Sequence, residues 1–260
     1  MEKYGIRIKW NTIASFEFRF GETAVLSDPC IGMSPGTDAT YETVENCDII
    51  TVSHVHWDHI TDLPVLVKKF DPLVFVGEQS VMPLLRWADY NPQKMYPATP
   101  NVDFDFGDVT IRPLFGRHVN FGTTYSEQKA NFESRPYLQE DPGLLEMQVL
   151  GSTEYRNYLF TAKNGTKVLL WGNEPTITQR SMISELKPDI AILQFQKTRL
   201  PALAEFAAAI GCKVLIPHHH DFKLSEAEYE PLLDELKEAY LKLVPDGTFI
   251  SPKHGEWMCL

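Results

Sequence analysis

Four metal-capable side chains fall within six residues of this 260-residue chain: His54, His56, Asp58 and His59. They follow Asp48-Ile49-Ile50-Thr51-Val52, a β-branched run that reads as a buried strand, and they precede Thr61, Asp62 and Pro64, which read as a helix start with a polar cap and a proline in the first turn. A strand that ends in such a cluster and turns directly into a helix places the cluster at a sheet edge. A compact turn lets His54 and His56 converge on one cation while Asp58 and His59 face a neighbouring one. Imidazole and carboxylate together suit zinc, manganese or iron. Two cations about 3.5–4 Å apart bind both a nucleophilic water and the oxygen of a scissile group.

Charge and cysteine usage remove several competing classes. Lys and Arg number 24 against 35 Asp and Glu, a net charge of −11. No dense basic cluster offers the counterion release that dominates nucleic-acid affinity, so no nucleic-acid partner is expected. Cys30, Cys47, Cys212 and Cys259 are scattered and contain no CxxC pair, which argues for reduced, mostly buried thiols and against a thiolate zinc site. The N-terminus lacks a basic start followed by an apolar run, and no apolar stretch reaches membrane-spanning length. The chain therefore reads as cytoplasmic, with no membrane partner and with a homo-oligomer left open.

The remaining pattern is α/β. Ile6–Trp10, Ser15–Phe20 and Ala24–Ser27 read as strands, with Phe16, Phe18 and Phe20 on one face. Leu63–Phe70 reads as a helix, Leu73–Val76 as a strand and Gln79–Tyr90 as a helix; Phe104–Leu114 reads as a hairpin around Gly107-Asp108. Asn164-Gly165 marks a second hairpin. Capping boxes at Thr176/Gln179 and Ser225/Glu228 start two helices, the second interrupted by Pro231 as a kink or restart. Lys213–Pro217 reads as a strand ending in His218-His219-His220-Asp221. Residues 116–152 have poor apolar periodicity and read as an irregular insertion or a lid, in which Phe121, Tyr125 and Tyr137 wall a pocket or merely pack it down. The expected organisation is one domain over 1–260.

The segment Ser53-His54-Val55-His56-Trp57-Asp58-His59 resembles the HxHxDH signature of the metallo-β-lactamase fold superfamily. Ala14-Ser15-Phe16-Glu17 with Asp28-Pro29, the late Ile216-Pro217-His218-His219 and the closing Gly255-Glu256 resemble the L-ascorbate-6-phosphate lactonase-like branch of it. The resemblance implies a four-layer αββα sandwich with metal at one edge. It also implies that His118 completes the first metal's set and His219 the second's, and that Asp58 orients or deprotonates the attacking water. His219 would bind metal or stabilise developing charge. The family's bridging Asp maps to Asn173, which offers a neutral oxygen; Glu174 then supplies the carboxylate, or the second metal binds weakly, or the site is mononuclear, or its chemistry is lost. Arg117 and Lys197 are the substrate-binding candidates, followed by Arg199, and His254 reads as a surface or supporting residue.

The expected function is that of a metal-dependent hydrolase using one or two divalent ions, zinc or manganese before iron. Its expected substrate is a small molecule, a lactone or a phosphorylated sugar derivative. Three alternatives stand beside it. A phosphodiesterase or nuclease of the same fold is disfavoured by the acidic charge. An oxygen- or nitric-oxide-reducing di-iron protein is disfavoured by His56, where that branch carries Glu. A non-catalytic metal- or ligand-binding protein is kept open by Asn173.

Overall fold

Alternation fixes the layers. The computed structural model describes residues 3–33, 37–118, 130, 141, 143–172, 175–221 and 224–260. The first sheet contains β1 (Ile6–Thr12), β2 (Ser15–Phe20), β3 (Thr23–Ser27), β4 (Ile49–Thr51), β5 (Leu73–Val76), β6 (Met95–Pro97) and β14 (Trp257–Cys259), in the order β14-β1-β2-β3-β4-β5-β6. The second contains β7 (Phe104–Asp105), β8 (Val109–Phe115), β9 (Arg156–Ala162), β10 (Lys167–Trp171), β11 (Ile190–Gln194), β12 (Val214–His218) and β13 (Thr248–Phe249), in the order β13-β12-β11-β10-β9-β8-β7. Each sheet is antiparallel on one side and parallel on the other, so the ends of β4, β5, β11 and β12 open toward one edge.

Phe16, Phe18 and Phe20 point between the sheets and meet Tyr158, Phe160, Ile192 and Ile216 of the facing one. The Phe18 and Phe160 ring centroids lie 4.9 Å apart. Outside the first sheet pack α1 (Trp57–Ile60), α2 (Leu63–Phe70), α3 (Val81–Ala88) and α4 (Gly143–Leu150), through Ile60, Leu66, Leu84 and Met147. Outside the second pack α5 (Ile177–Leu186), α6 (Leu200–Ala209) and α7 (Glu226–Leu243), through Ile183, Phe206 and Leu236. The result is the four-layer sandwich of two mixed sheets between helices. No helix of the described residues is long and apolar enough to cross a membrane. Cys30, Cys47 and Cys212 are free and buried, and Cys259 is free and exposed.

Three local expectations are corrected. Asp62 precedes α2 but makes no cap; its carboxylate accepts the Ile31 amide at 2.6 Å, a tertiary bond that outcompetes the local one. Residues 143–150 of the stretch read as irregular form α4, because Leu144, Leu145, Met147 and Leu150 leave no single apolar stripe to recognise. Pro231 lies inside α7 without ending it. Most of 116–152, including Phe121, Tyr125 and Tyr137, lies outside the described residues. Phe18→Ala should remove roughly 3–5 kcal/mol of unfolding free energy, the range for a fully buried aromatic, as a lowered urea midpoint at unchanged slope.

Candidate metal centre

The centre is built outward from Asp28, the first residue after β3. Its amide donates to Thr51 O of β4 at 2.9 Å, and its carboxylate accepts three bonds: Ser53 N at 2.6 Å, Ser53 Oγ at 2.7 Å and His59 Nδ1 at 2.9 Å. Because Ser53 Oγ donates to Asp28, it accepts from His54 Nδ1 at 3.0 Å. His54 and His59 thus each commit Nδ1 outward and keep the Nε2 lone pair for the centre.

His56 sits at the N-terminal boundary of α1, and its Nε2 is 3.1 Å from Ser152 Oγ, just beyond α4. Gly151 lets α4 approach: a Cβ there would lie 2.3 Å from His56 Cδ2. His54 Nε2 and His56 Nδ1 therefore face each other at 3.1 Å with their other nitrogens already committed. Two lone pairs that close require a proton or a cation between them. His118, past the end of β8, closes the group, its ring centroid 4.9 Å from His54 and 4.4 Å from His56. One donor atom from each of His54, His56 and His118 lies within 4.8 Å of the others, and the same holds for Asp58, His59 and His219. The clusters adjoin, with His54 and His59 ring centroids 4.0 Å apart. Tyr155 stacks on His54 at 4.8 Å, and Gly172 leaves space for its hydroxyl.

The electrostatics match a cation site. Burial, reinforced by the neighbouring imidazoles, holds His54 below the ordinary histidine range. Burial and His56 bring His118 down to about 3. Burial also lowers His219, against the pull of Asp58. For Asp58, burial raises the pKa but His59, His219 and His56 outweigh it, so the carboxyl stays ionised. For His59, burial is outweighed by Asp28 and Asp58, which raise it. The lowered imidazoles of His54, His118 and His219 beside one ionised carboxylate form a donor set that fits divalent ions.

The sequence-derived candidates divide as follows. His54, His56 and His118 come together, as do Asp58, His59 and His219. His218 instead points between the sheets with Nε2 3.3 Å from Trp171 O, and His220 is buried beside Trp10. Arg117 is exposed next to His118. Lys197 is exposed in the turn after β11, where its charge acts on Glu228, and it joins neither cluster. Asn173 and Glu174 lie outside the described residues. Sequence reasoning missed Asp28, Ser53, Ser152 and Tyr155. Of these only Asp28 left a signal, an acidic residue ending a strand directly before a proline.

Residues 10–161, more than half of the chain, match the family profile described as Metallo-beta-lactamase superfamily. A UPF0173 metal-dependent hydrolase of Bacillus cereus is 28% identical over 232 residues, covering 87% of this chain and 91% of that protein. Among solved structures, the metallo hydrolase Igni18 of Ignicoccus hospitalis superposes with a TM-score of 0.69 at 14% identity, covering 97% of each chain. The isothiocyanate hydrolase from Delia radicum gut bacteria gives 0.64 at 15% identity, covering 97% of this chain and 98% of that one. At these identities the structural likeness speaks for the fold.

The buried imidazoles set the metal-free chain's response to acid. His218 and His220, brought by burial to about 3 and about 4, are neutral in the fold but gain protons in the unfolded chain below its ordinary value of about 6.5. The unfolded state then binds more protons, so stability falls as pH falls through this window, by roughly 1 kcal/mol for each such imidazole at pH 5.5. His59 and Asp62 act oppositely: each contribution is present below the unfolded value and lost as pH rises through the raised one, about 6 for Asp62. With the lowered groups in the majority, the urea midpoint of the metal-free protein should be lower at pH 5.5 than at pH 7.5. A flat or inverted profile would contradict these assignments.

Proposed function

The chain belongs to the metallo-β-lactamase superfamily, and from that premise we propose that its two clusters hold two divalent ions and hydrolyse a small ester-like substrate. Two adjacent His/Asp clusters at the sheet edge of this fold make the chain a metal-dependent hydrolase. The substrate we assign is a lactone or a phosphorylated sugar derivative, supported by the resemblance of the opening and closing segments to the lactonase-like branch. Zinc or manganese suits the mixed imidazole and carboxylate donors, with iron third. His54, His56 and His118 would hold one ion; Asp58, His59 and His219 the other, with Asn173 as the remaining candidate ligand.

Bound ions would supply Lewis-acid polarisation of a carbonyl or phosphoryl oxygen and acidify water toward neutral pH. The chain supplies the rest. Asp58, held ionised, is the acceptor for the proton of an attacking water. His219 Nε2 lies 3.9 Å from Asp58 Oδ2, close enough for the neutral imidazole and the carboxylate to serve one ion. Asp28 keeps His59 and, through Ser53, His54 in the tautomer that presents Nε2 inward. Tyr155, its phenol kept protonated by burial, covers the outer face of His54 and excludes water there. Arg117, exposed beside His118, is the residue we assign to an anionic substituent of the substrate.

The observation that carries this reading is the facing pair His54 Nε2 and His56 Nδ1 with both outer nitrogens engaged. Metal content of protein purified without chelator and supplied with zinc, manganese or iron tests it. About two equivalents per chain are expected; none under replete conditions overturns it. His54→Ala should abolish turnover of a lactone panel with the fold intact by circular dichroism, and turnover that survives it would remove the hydrolase mechanism. Asn173→Asp should tighten the second ion by restoring a bridging charge, read by chelator competition; an unchanged affinity would show that position 173 is not a ligand.

A further inference from the structure

Three residues at this edge hold backbone conformations that side chains with a Cβ rarely adopt; besides Asp28, with φ +42°, two of them bond to each other. His219 has φ +67°, and Ile13, a β-branched residue in the turn between β1 and β2, has φ +51°. Such strain persists only where the surroundings over-determine it, and it gathers at working sites. The two strained residues face each other: His219 N donates to Ile13 O at 2.9 Å. Ile13 is held from its other side by Asp221, whose carboxylate accepts the Ile13 amide at 3.0 and 3.2 Å. Trp10 Nε1 also donates to Ile13 O, at 3.1 Å.

Asp221 is in turn held from the far end of the chain. His254 Nε2 lies 3.0 Å from Asp221 Oδ2, and the His254 ring stacks on Trp10 at 4.2 Å. The backbone of this segment is fixed as well: His254 bridges Trp10, and Gly255 N donates to Trp10 O at 2.8 Å. Asp221 is only 2% exposed, so its carboxylate is committed to these bonds within the protein. The closed circuit runs His254–Asp221–Ile13–Trp10 and back to His254, and His219 is tied to it through the Ile13 carbonyl.

We propose that Asp221 and His254 are positioning residues that hold His219 in its left-handed conformation and thereby set occupancy of the Asp58–His59–His219 cluster, without contacting ion or substrate. The proposal rests on the reading of that cluster as a metal site. Its distinguishing consequence is selectivity. The contacts named above lead to His219 and its cluster and not to the His54–His56–His118 group, so loss of the circuit is expected to weaken one ion and spare the other.

The test is chelator competition with zinc on the full chain, resolving the two affinities, alongside the absorption spectrum of the cobalt-substituted protein. His254→Ala should weaken one ion by about tenfold or more, the usual penalty for losing a partner that orients a ligand, and leave the other at wild-type affinity. His254→Gln, whose side-chain amide still donates to Asp221, should restore both. Asp221→Asn, which keeps the volume but surrenders an acceptor, should repeat the selective loss, and it decides the matter if His254→Ala does not fold. Equal weakening of both ions, no change in either, or failure of glutamine to rescue overturns the clasp. If the wild-type chain itself takes up no zinc, the metal-centre reading fails first, and that result is distinct from two wild-type affinities in the variants.

Discussion

The Asp28 carboxylate organises this edge of the sandwich. It is buried, it directly follows β3, and it takes up two donors from Ser53 and one from His59. The loop that carries the histidines is thereby fastened to the first sheet. The second sheet grips the same loop from the other side: Arg156 N donates to Ser53 O at 2.7 Å, and Tyr158 Oη to Val52 O at 2.8 Å. Residues 52 and 53 are thus fixed by both sheets, and α1 begins where that fixation ends. A buried carboxylate with fewer donors would carry a large desolvation penalty; with three it becomes the reference point for two imidazole tautomers.

What the centre requires conflicts with what a core prefers. Several imidazoles are gathered within a few ångströms, and burial pushes His54, His118 and His219 toward the neutral form, while Asp28 and Asp58 raise His59. Without an ion, the facing nitrogens of His54 and His56 cohere only by sharing a proton. The surrounding aromatic and aliphatic layers, with Phe16, Phe18 and Phe20 between the sheets, supply the stability that allows such an arrangement. Local instability of this kind is the usual companion of a working site.

The fold was legible because its signals are local. The alternation in β2, the Asn-Gly hairpin, both capping boxes and the strand-to-helix turn at His54–Asp58 can each be read within ten residues. The centre was legible only where ligands cluster in sequence. His118 and His219 came from resemblance, because each lies far from the motif in sequence. His219 lies one residue past the end of β12, and its left-handed backbone, not the strand period, turns it toward Asp58. Asp28, Ser152, Tyr155 and Asp221 act through tertiary hydrogen bonds or ring stacking, which no short window displays. The helix at 143–150 escaped because a segment apolar on nearly every side has no stripe.

The bond from Ile13 to Asp221 joins residues 208 positions apart, and the pairing of β14 with β1 closes the sheet with the last residues of the chain. Synthesis is vectorial, so this separation is also an interval of time. At about 5–20 residues per second, roughly 10–30 s pass between the appearance of His59 and that of His219. Throughout that interval the early histidines stand in a nascent chain that lacks their late partners. Completion of both clusters therefore waits on segments synthesised well after the motif itself has emerged.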